Sequence, residues 1–291
     1  MNNSTENINF ENENSKNIFF EKSEITWKKT KEEVWQEISQ KIENGNVTPT
    51  KKAKTLHLNF ASFSIAAVIL ILVSIGGFMK FYTQSFHSKA GEHLTVTLPD
   101  GSLAHLNALS SIEYQPYWWW RNRNVTFEGE AFFEVEKGKK FSVNSINGTT
   151  TVLGTSFNIF SRNNYYRVSC LTGKVKITTP KNISETIVAG QNIEIDNKGV
   201  CIINETENVE NAVLWTKNSF FFTATPLIEV FAEIERQYNI KIVVNEKLTS
   251  LYSGNFAKAE DVEVTLSLIC KPFGLAYKMT EPQKYLIYRI E

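Results

Sequence analysis

The stretch His93-Leu94-Thr95-Val96-Thr97-Leu98-Pro99-Asp100-Gly101-Ser102-Leu103-Ala104-His105-Leu106 sets the character of most of the chain. Leu94, Val96 and Leu98 alternate with other residues, so they share one face of a strand. Pro99 presets φ for a turn, and Gly101 accepts the positive φ that closes it. The segment 102–106 then returns as the second arm of a hairpin. The same texture continues downstream. Candidate strands fall at 125–127, 131–135, 141–143, 150–153, 157–160, 168–171, 175–178, 187–188, 193–195 and 200–203. They recur about every 8–12 residues with no amphipathic helix between them, which predicts an all-β sandwich or roll over 94–208. The 20 Phe, 10 Tyr and 6 Trp residues suit such a core.

Further on the pattern changes. The segment 219–222 reads as a strand, and Leu227, Val230, Phe231, Ile234 and Tyr238 follow Pro226 at helical spacing. Ile240, Ile242 and Val244 alternate, and 252–256 is a further strand. Val262, Leu266 and Ile269 form a second helix ended by Pro272 and Gly274, and 275–279 and 285–290 close the chain. The order β-α-β-β-α-β-β predicts a small α+β module over 209–291, with two similar halves.

Upstream of the hairpin lies a different kind of segment. Between Lys54 and Lys80 no Asp, Glu, Lys or Arg occurs, and Ile65-Ala66-Ala67-Val68-Ile69-Leu70-Ile71-Leu72-Val73 lies at its centre. A helix of about 20 apolar residues crosses the hydrocarbon core of a bilayer. A single transmembrane helix is therefore expected over 55–80, with a linker at 81–93. It begins too far from Met1 for an ordinary cleaved signal peptide and reads as an uncleaved anchor. Lys41, Lys51, Lys52 and Lys54 precede it closely, and Lys80 and Lys89 follow. The positive-inside rule then puts the N-terminus in the cytoplasm and the C-terminal bulk outside.

The arm 1–54 begins with an Asn-, Glu- and Ser-rich stretch of disordered composition. Thr30-Lys31-Glu32-Glu33 is a capping box that starts a helix. Val34, Trp35, Ile38 and Ile42 follow at helical spacing, Trp27 lies upstream on the same side, and Gly45 can end the helix. The arm offers little else to bury that face against. A partner protein's groove or the membrane surface remains. Glu32, Glu33, Glu37 and Glu43 nearly balance the lysines, which favours the protein.

Charge balances at 31 basic against 31 acidic residues, which argues against nucleic acid as the main partner. Cys170, Cys201 and Cys270 show no metal or redox spacing, and the odd count favours buried thiols over a disulfide. His87, His93 and His105 lack a fourth ligand, so no metal is expected. Glu128, Glu130, Glu134 and Glu136 alternate, as on the solvated face of a strand. Trp118-Trp119-Trp120, in a strand, would put Trp119 on one face and its neighbours on the other. Core and edge packing is the favoured reading, ahead of a protein platform or sugar stacking. No hydrolase, zinc-protease, Walker or Rossmann pattern occurs, so neither enzyme activity nor a cofactor is expected.

The blocks Leu98-Pro99-Asp100-Gly101-Ser102, Leu106-Asn107-Ala108 with Ser110-Ser111, Val125, Gly129-Glu130-Ala131 with Phe133 and Val135, Val152-Leu153-Gly154-Thr155 with Phe157-Asn158, Gly173-Lys174-Val175 and Gly190-Gln191 follow in order. In identity and spacing this region resembles the FecR family of anti-sigma signal transducers. Trp215, Phe220, Phe222, Pro226-Leu227, Val230, Arg236 to Tyr238 and Ser253-Gly254-Asn255-Phe256 resemble the C-terminal domain of that family's Bacteroidota branch. That domain is similar in plan to the signalling domain at the start of some TonB-dependent outer-membrane transporters.

The resemblance implies an inner-membrane, single-pass regulator of transcription. Its cytoplasmic arm would hold an extracytoplasmic-function sigma factor through Trp27, Val34, Trp35, Ile38 and Ile42. Its periplasmic part would receive the signalling domain of a TonB-dependent transporter. Edge strands including Ile240, Ile242, Val244, Tyr285 and Ile287 are the candidates for that contact by strand addition. An intramembrane protease is a further implied partner. Breaks at Gly-Thr occur within the family, so Gly154-Thr155 is a candidate for self-cleavage, with a structural bend as the plainer reading. The competing account is a membrane-anchored periplasmic binding module for glycan or protein, with no transcriptional role.

Overall fold

The computed structural model describes residues 28–45, 60–163, 165–195, 200–205, 208–245 and 247–290. The chain divides into two compact units at Phe63. In the first, helix α1 (Lys31–Glu43) starts on the expected capping box: Thr30 accepts from the Glu33 amide, and the Glu33 carboxylate accepts from the Thr30 amide. None of its residues is buried. Helix α2 (Phe60–Phe81) has 22 residues, a rise of ~33 Å. Its stretch Phe63–Phe81 is long and apolar enough to cross a membrane, and none of it is buried in the protein. Residues 55–59 of the expected span lie outside the described residues.

The second unit holds both β-rich portions. Only Tyr82 and Thr83 separate α2 from strand β1 (Gln84–His87), so the expected linker 81–93 carries a strand. Strands β2 (Leu94–Thr97) and β3 (Leu103–Leu106) form the expected hairpin. Its turn is closed by the Gly101 amide on the Leu98 carbonyl at 3.0 Å, with Gly101 at φ +87°. Asp100 in that turn pairs with the buried Arg123, whose guanidinium also donates to the carbonyls of Glu136 and Lys139.

Strand β4 (Ser111–Tyr114) and the long β5 (Arg123–Glu134) come next. They are followed by β6 (Phe141–Ser145), β7 (Gly148–Val152), β8 (Ser156–Arg162), β9 (Tyr165–Cys170), β10 (Lys174–Thr178), β11 (Ser184–Val188), β12 (Gln191–Ile195) and β13 (Cys201–Glu205). Two sheets share β5. Its first half pairs with β4 and β6, in a sheet ordered β1-β4-β5-β6-β7-β10-β11. Its second half pairs with β3 and β8, in a sheet ordered β2-β3-β5-β8-β9-β12-β13.

The transfer occurs at Gly129, the first residue of β5 that pairs with β8. Gly129 sits at φ +111°, and a Cβ there would lie 2.4 Å from the Ser110 hydroxyl oxygen. Only glycine permits both the turn of the backbone and that approach. Between the sheets Phe133 stacks on Phe157 at 5.3 Å and meets Phe127 edge-on at 5.7 Å. Each such ring contributes about 1.5–3 kcal/mol by burial.

Trp118-Trp119-Trp120 is not in a strand. Pro116–Trp118 form a 3-10 turn between β4 and β5, as Pro116 suits a first helical position. The outcome for Trp119 is still burial, at 4% exposure, with edge contacts to Tyr114 and Phe141. Trp120 stays 67% exposed.

A 3-10 segment (Val209–Lys217) leads into the last module. Its elements are β14 (Ser219–Pro226), α3 (Leu227–Tyr238), β15 (Lys241–Val244), β16 (Leu251–Ala257), α4 (Val262–Cys270), β17 (Leu275–Glu281) and β18 (Lys284–Arg289). β14 pairs with β16, and a three-stranded sheet runs β15-β18-β17 with β15 parallel to β18. Leu227, Val230, Phe231, Ile234, Leu266, Ile269 and Ile287 form its core. The element order is the one read from the sequence.

Replacing Gly129 by Ala should cost about 3 kcal/mol or more, from strain and overpacking together. Gly190→Ala, also at positive φ but with nothing within 4 Å of the new Cβ, should cost about 1 kcal/mol. Equal losses of thermal stability in the two variants would contradict the pivot role.

Candidate functional site: a buried junction between sandwich and last module

β5 carries Glu130 one residue past the pivot, on the face that the last module covers. Glu130 is 7% exposed, although the alternation of acids in this strand predicts a solvated face. Glu128, Glu134 and Glu136 do remain exposed. The difference is the packing of α3 and the 3-10 segment over this part of the sheet.

Four amide and indole groups organise the carboxylate. Asn107 Nδ2 donates to one oxygen of Glu130 at 2.8 Å, and Asn158 Nδ2 to the other at 3.0 Å. Both asparagines are oriented from the module side. Gln237 Nε2 on α3 donates to Asn107 Oδ1 at 2.6 Å, and Trp215 Nε1 donates to Asn158 Oδ1 at 3.2 Å. Gln237 Nε2 also donates to Glu233 Oε1 at 2.8 Å, and its own carbonyl faces His93 Nε2 at 3.2 Å. Arg236 closes the chain on Glu233 Oε2 at 2.6 Å. Backbone ties reinforce it: the Gly91 amide donates to the Arg236 carbonyl at 2.8 Å, and Lys258 Nζ to the Gln237 carbonyl at 2.6 Å. Arg162 braces the pivot from the sandwich side, donating to the Ala108 and Leu109 carbonyls.

Glu130 is buried and Glu233 half-buried beside it, and their titrations separate. Burial, and then the charge of Glu233, push Glu130 up from its ordinary 4.5. Burial also acts on Glu233, but the Arg236 charge and the Gln237 bond outweigh it and hold Glu233 low. Burial lowers His93, which keeps its imidazole neutral against Trp215. The amide and carboxylate groups of this network are paired, while the buried Arg162 Nε is not. Such pairing favours one relative placement of the two modules, and losing a member strands the others without partners. Beside it a cleft of about 480 Å³ opens, lined by Phe160, Tyr165, Arg167, Glu194, Phe221 and Arg236. Its cations are engaged: Arg167 faces Glu194 at 3.8 Å, and Arg236 holds Glu233.

The other candidate residues lie elsewhere. On α1, Val34, Trp35, Ile38 and Ile42 are all exposed, Trp35 by 68% and Ile42 by 69%. Trp27 lies outside the described residues. Gly154 is at φ +150°, where a Cβ would meet the Lys137 backbone at 2.7 Å. Thr155 is buried, and its hydroxyl donates to the Lys174 carbonyl at 3.1 Å. In the last module β15 is an edge strand, with Ile240, Ile242 and Val244 packed on the module core. β18 is not an edge. It lies between β15 and β17, and Tyr285 and Ile287 are buried. Its pairing on both sides leaves no backbone for strand addition there.

His105 bonds Thr95 and Glu134. Cys170 and Cys270 are buried free thiols. Among the described residues no His, Cys, Asp and Glu cluster suits a metal.

The network is not legible in the sequence because its members are far apart in the chain. The available signal was polar amides, Asn107 and Asn158, set among strand residues that otherwise favour apolar or β-branched types.

Glu130 has a higher pKa in the folded than in the unfolded chain. Its contribution to stability is therefore present below the ordinary value and lost as pH rises through the raised one. Glu130→Gln should remove that dependence, so its stability relative to the natural chain should improve as pH rises from 5 towards 7. Parallel stability curves over that range would contradict the assignment.

The sequence description "FecR protein" matches residues 84–176, and "FecR, C-terminal" matches residues 219–287. Two crystal structures of a candidate anti-sigma factor from Parabacteroides distasonis ATCC 8503, at 2.50 and 1.65 Å, are similar to this chain. They are 29% and 28% identical to it, each with a TM-score of 0.67 over 72% of this chain and 100% of theirs. No functionally curated protein matches. The first match contains the pivot and the Asn107–Glu130–Asn158 group, and the second contains α3 with Glu233 and Gln237. With the Glu130 group and α3 inside matched regions, the chain belongs to the FecR family of anti-sigma regulators.

Proposed function

We propose that this chain is a single-pass inner-membrane anti-sigma factor that holds an extracytoplasmic-function sigma factor through α1 and releases it on a signal from outside. The observation that carries this reading is the apolar face of α1. Val34, Trp35, Ile38 and Ile42 are exposed together, and the helix has no buried residue. A groove on a partner would bury them, and one large aromatic on such a face commonly dominates binding. Trp27 is proposed to extend the face.

On the other side of α2, the last module is the proposed receiver for the signalling domain of a TonB-dependent transporter. The edge strand β15 is the proposed docking strand, by backbone pairing. The Glu130 junction supplies a physical route inward: a partner that shifts α3 would unseat Gln237 and Glu233 together. Cleavage at Gly154–Thr155 and by an intramembrane protease remain proposed later steps. A full-length band after denaturation of active protein would exclude the first.

Crosslinked purification of the full chain from native membranes should co-isolate a sigma factor. Trp35→Ala with Ile42→Ala should reduce recovery at least ~tenfold, since hot-spot truncations cost about 2 kcal/mol or more each. Undiminished recovery would move the contact off α1.

A further inference from the structure

The shortness of the connection between α2 and the sandwich has a geometric consequence. Tyr82 and Thr83 alone link the apolar helix to β1, and two residues reach at most ~7 Å. The antiparallel pairing of β1 with β4 sets Gln84 against Tyr114. The chain leaves β4 at that end, directly into Pro116–Trp120. The Tyr82 and Tyr117 rings lie 5.4 Å apart, and Trp118 and Trp120 6.1 Å apart.

Strand register brings further residues to the same end. Arg123 is level with Phe141, and Phe141 with Val152. The residues just outside those strands are exposed: Arg121, Lys137, Lys139, Lys140 and Leu153. Leu153 is 65% exposed, and Lys139 Nζ lies 3.5 Å from the Trp120 carbonyl. The exposed acid in this group is Glu136. The opposite end of β1 leads to Ser88 and Gly91, and so to the last module.

We propose that the Pro116–Trp120 turn, with Leu153 and the surrounding cations, is a membrane-docking surface that seats the sandwich on the outer leaflet of the bilayer crossed by α2. Tryptophan and tyrosine favour the headgroup level, where an apolar ring meets a polar rim. Lys137, Lys139, Lys140 and Arg121 would meet anionic headgroups there. The occupant follows from continuity: the patch adjoins the end of the apolar helix, and Tyr82 is in contact with both. Docking would hold the sandwich upright on its span and point the last module away from the membrane. This inference rests on the membrane reading of α2.

The test uses the full chain with Trp27→Phe and Trp35→Phe, in vesicles of phosphatidylcholine and phosphatidylglycerol in equal parts, brominated near the headgroup. Flotation after an alkaline wash reports the span separately. The expected result is a floating protein whose tryptophan emission is quenched by bromine, with quenching reduced at least ~twofold by Trp118→Phe and Trp120→Phe, because those rings sit at headgroup depth. A floating protein without quenching, or with quenching unchanged by the two replacements, would overturn the docking surface while leaving the span intact. Failure to float would overturn both.

Discussion

The hydrogen bonds that Gln237 donates to Asn107 and Trp215 donates to Asn158, the two asparagines that hold the buried Glu130 carboxylate, connect the sandwich to the last module. Burying a carboxylate is costly unless its oxygens are satisfied. Here the groups that satisfy it are themselves aligned from the other module, by Gln237 and Trp215. The carboxylate therefore cannot keep its environment if the last module leaves. The cost of burial becomes a restraint on domain placement.

That arrangement depends on where β5 changes sheets. Gly129 turns the strand over the Ser110 side chain, and Glu130 follows immediately. The Ser110 hydroxyl accepts from the Glu130 amide and donates to its carbonyl, so the backbone polar groups at the pivot are paired. A strand of this length within a single sheet would have kept its even-numbered acids in water, as Glu128 and Glu134 are.

Much of the fold was legible because it follows local rules. Period-two alternation found the strands, the 3.6-residue period found α3 and α4, and the capping box at Thr30 located α1 to the residue. What was not legible depends on distant partners. Glu130 reads as a surface acid until α3 is placed over it. The segment 84–87, Gln-Ser-Phe-His, has a single apolar residue and so no alternation to announce a strand, and it becomes one by pairing with β4. Trp118 to Trp120 alternate in burial as a strand would, but a 3-10 turn after Pro116 produces the pattern. Tyr285 and Ile287 have the apolar alternation of an edge or a centre alike, and only pairing with both β15 and β17 decides for the centre.

The proposed account requires the exposed face of α1 and the sandwich to lie on opposite sides of one membrane. Labelling with a membrane-impermeant maleimide tests this directly. Two full-length variants would be compared in a Cys201→Ser background: Ile42→Cys on α1 and Ile146→Cys in the sandwich, both at exposed positions. The two remaining native thiols are buried. In spheroplasts with an intact inner membrane, the cysteine at 146 should react at once and that at 42 only after permeabilisation. Equal labelling of both in intact spheroplasts, or labelling of 42 alone, would contradict the account.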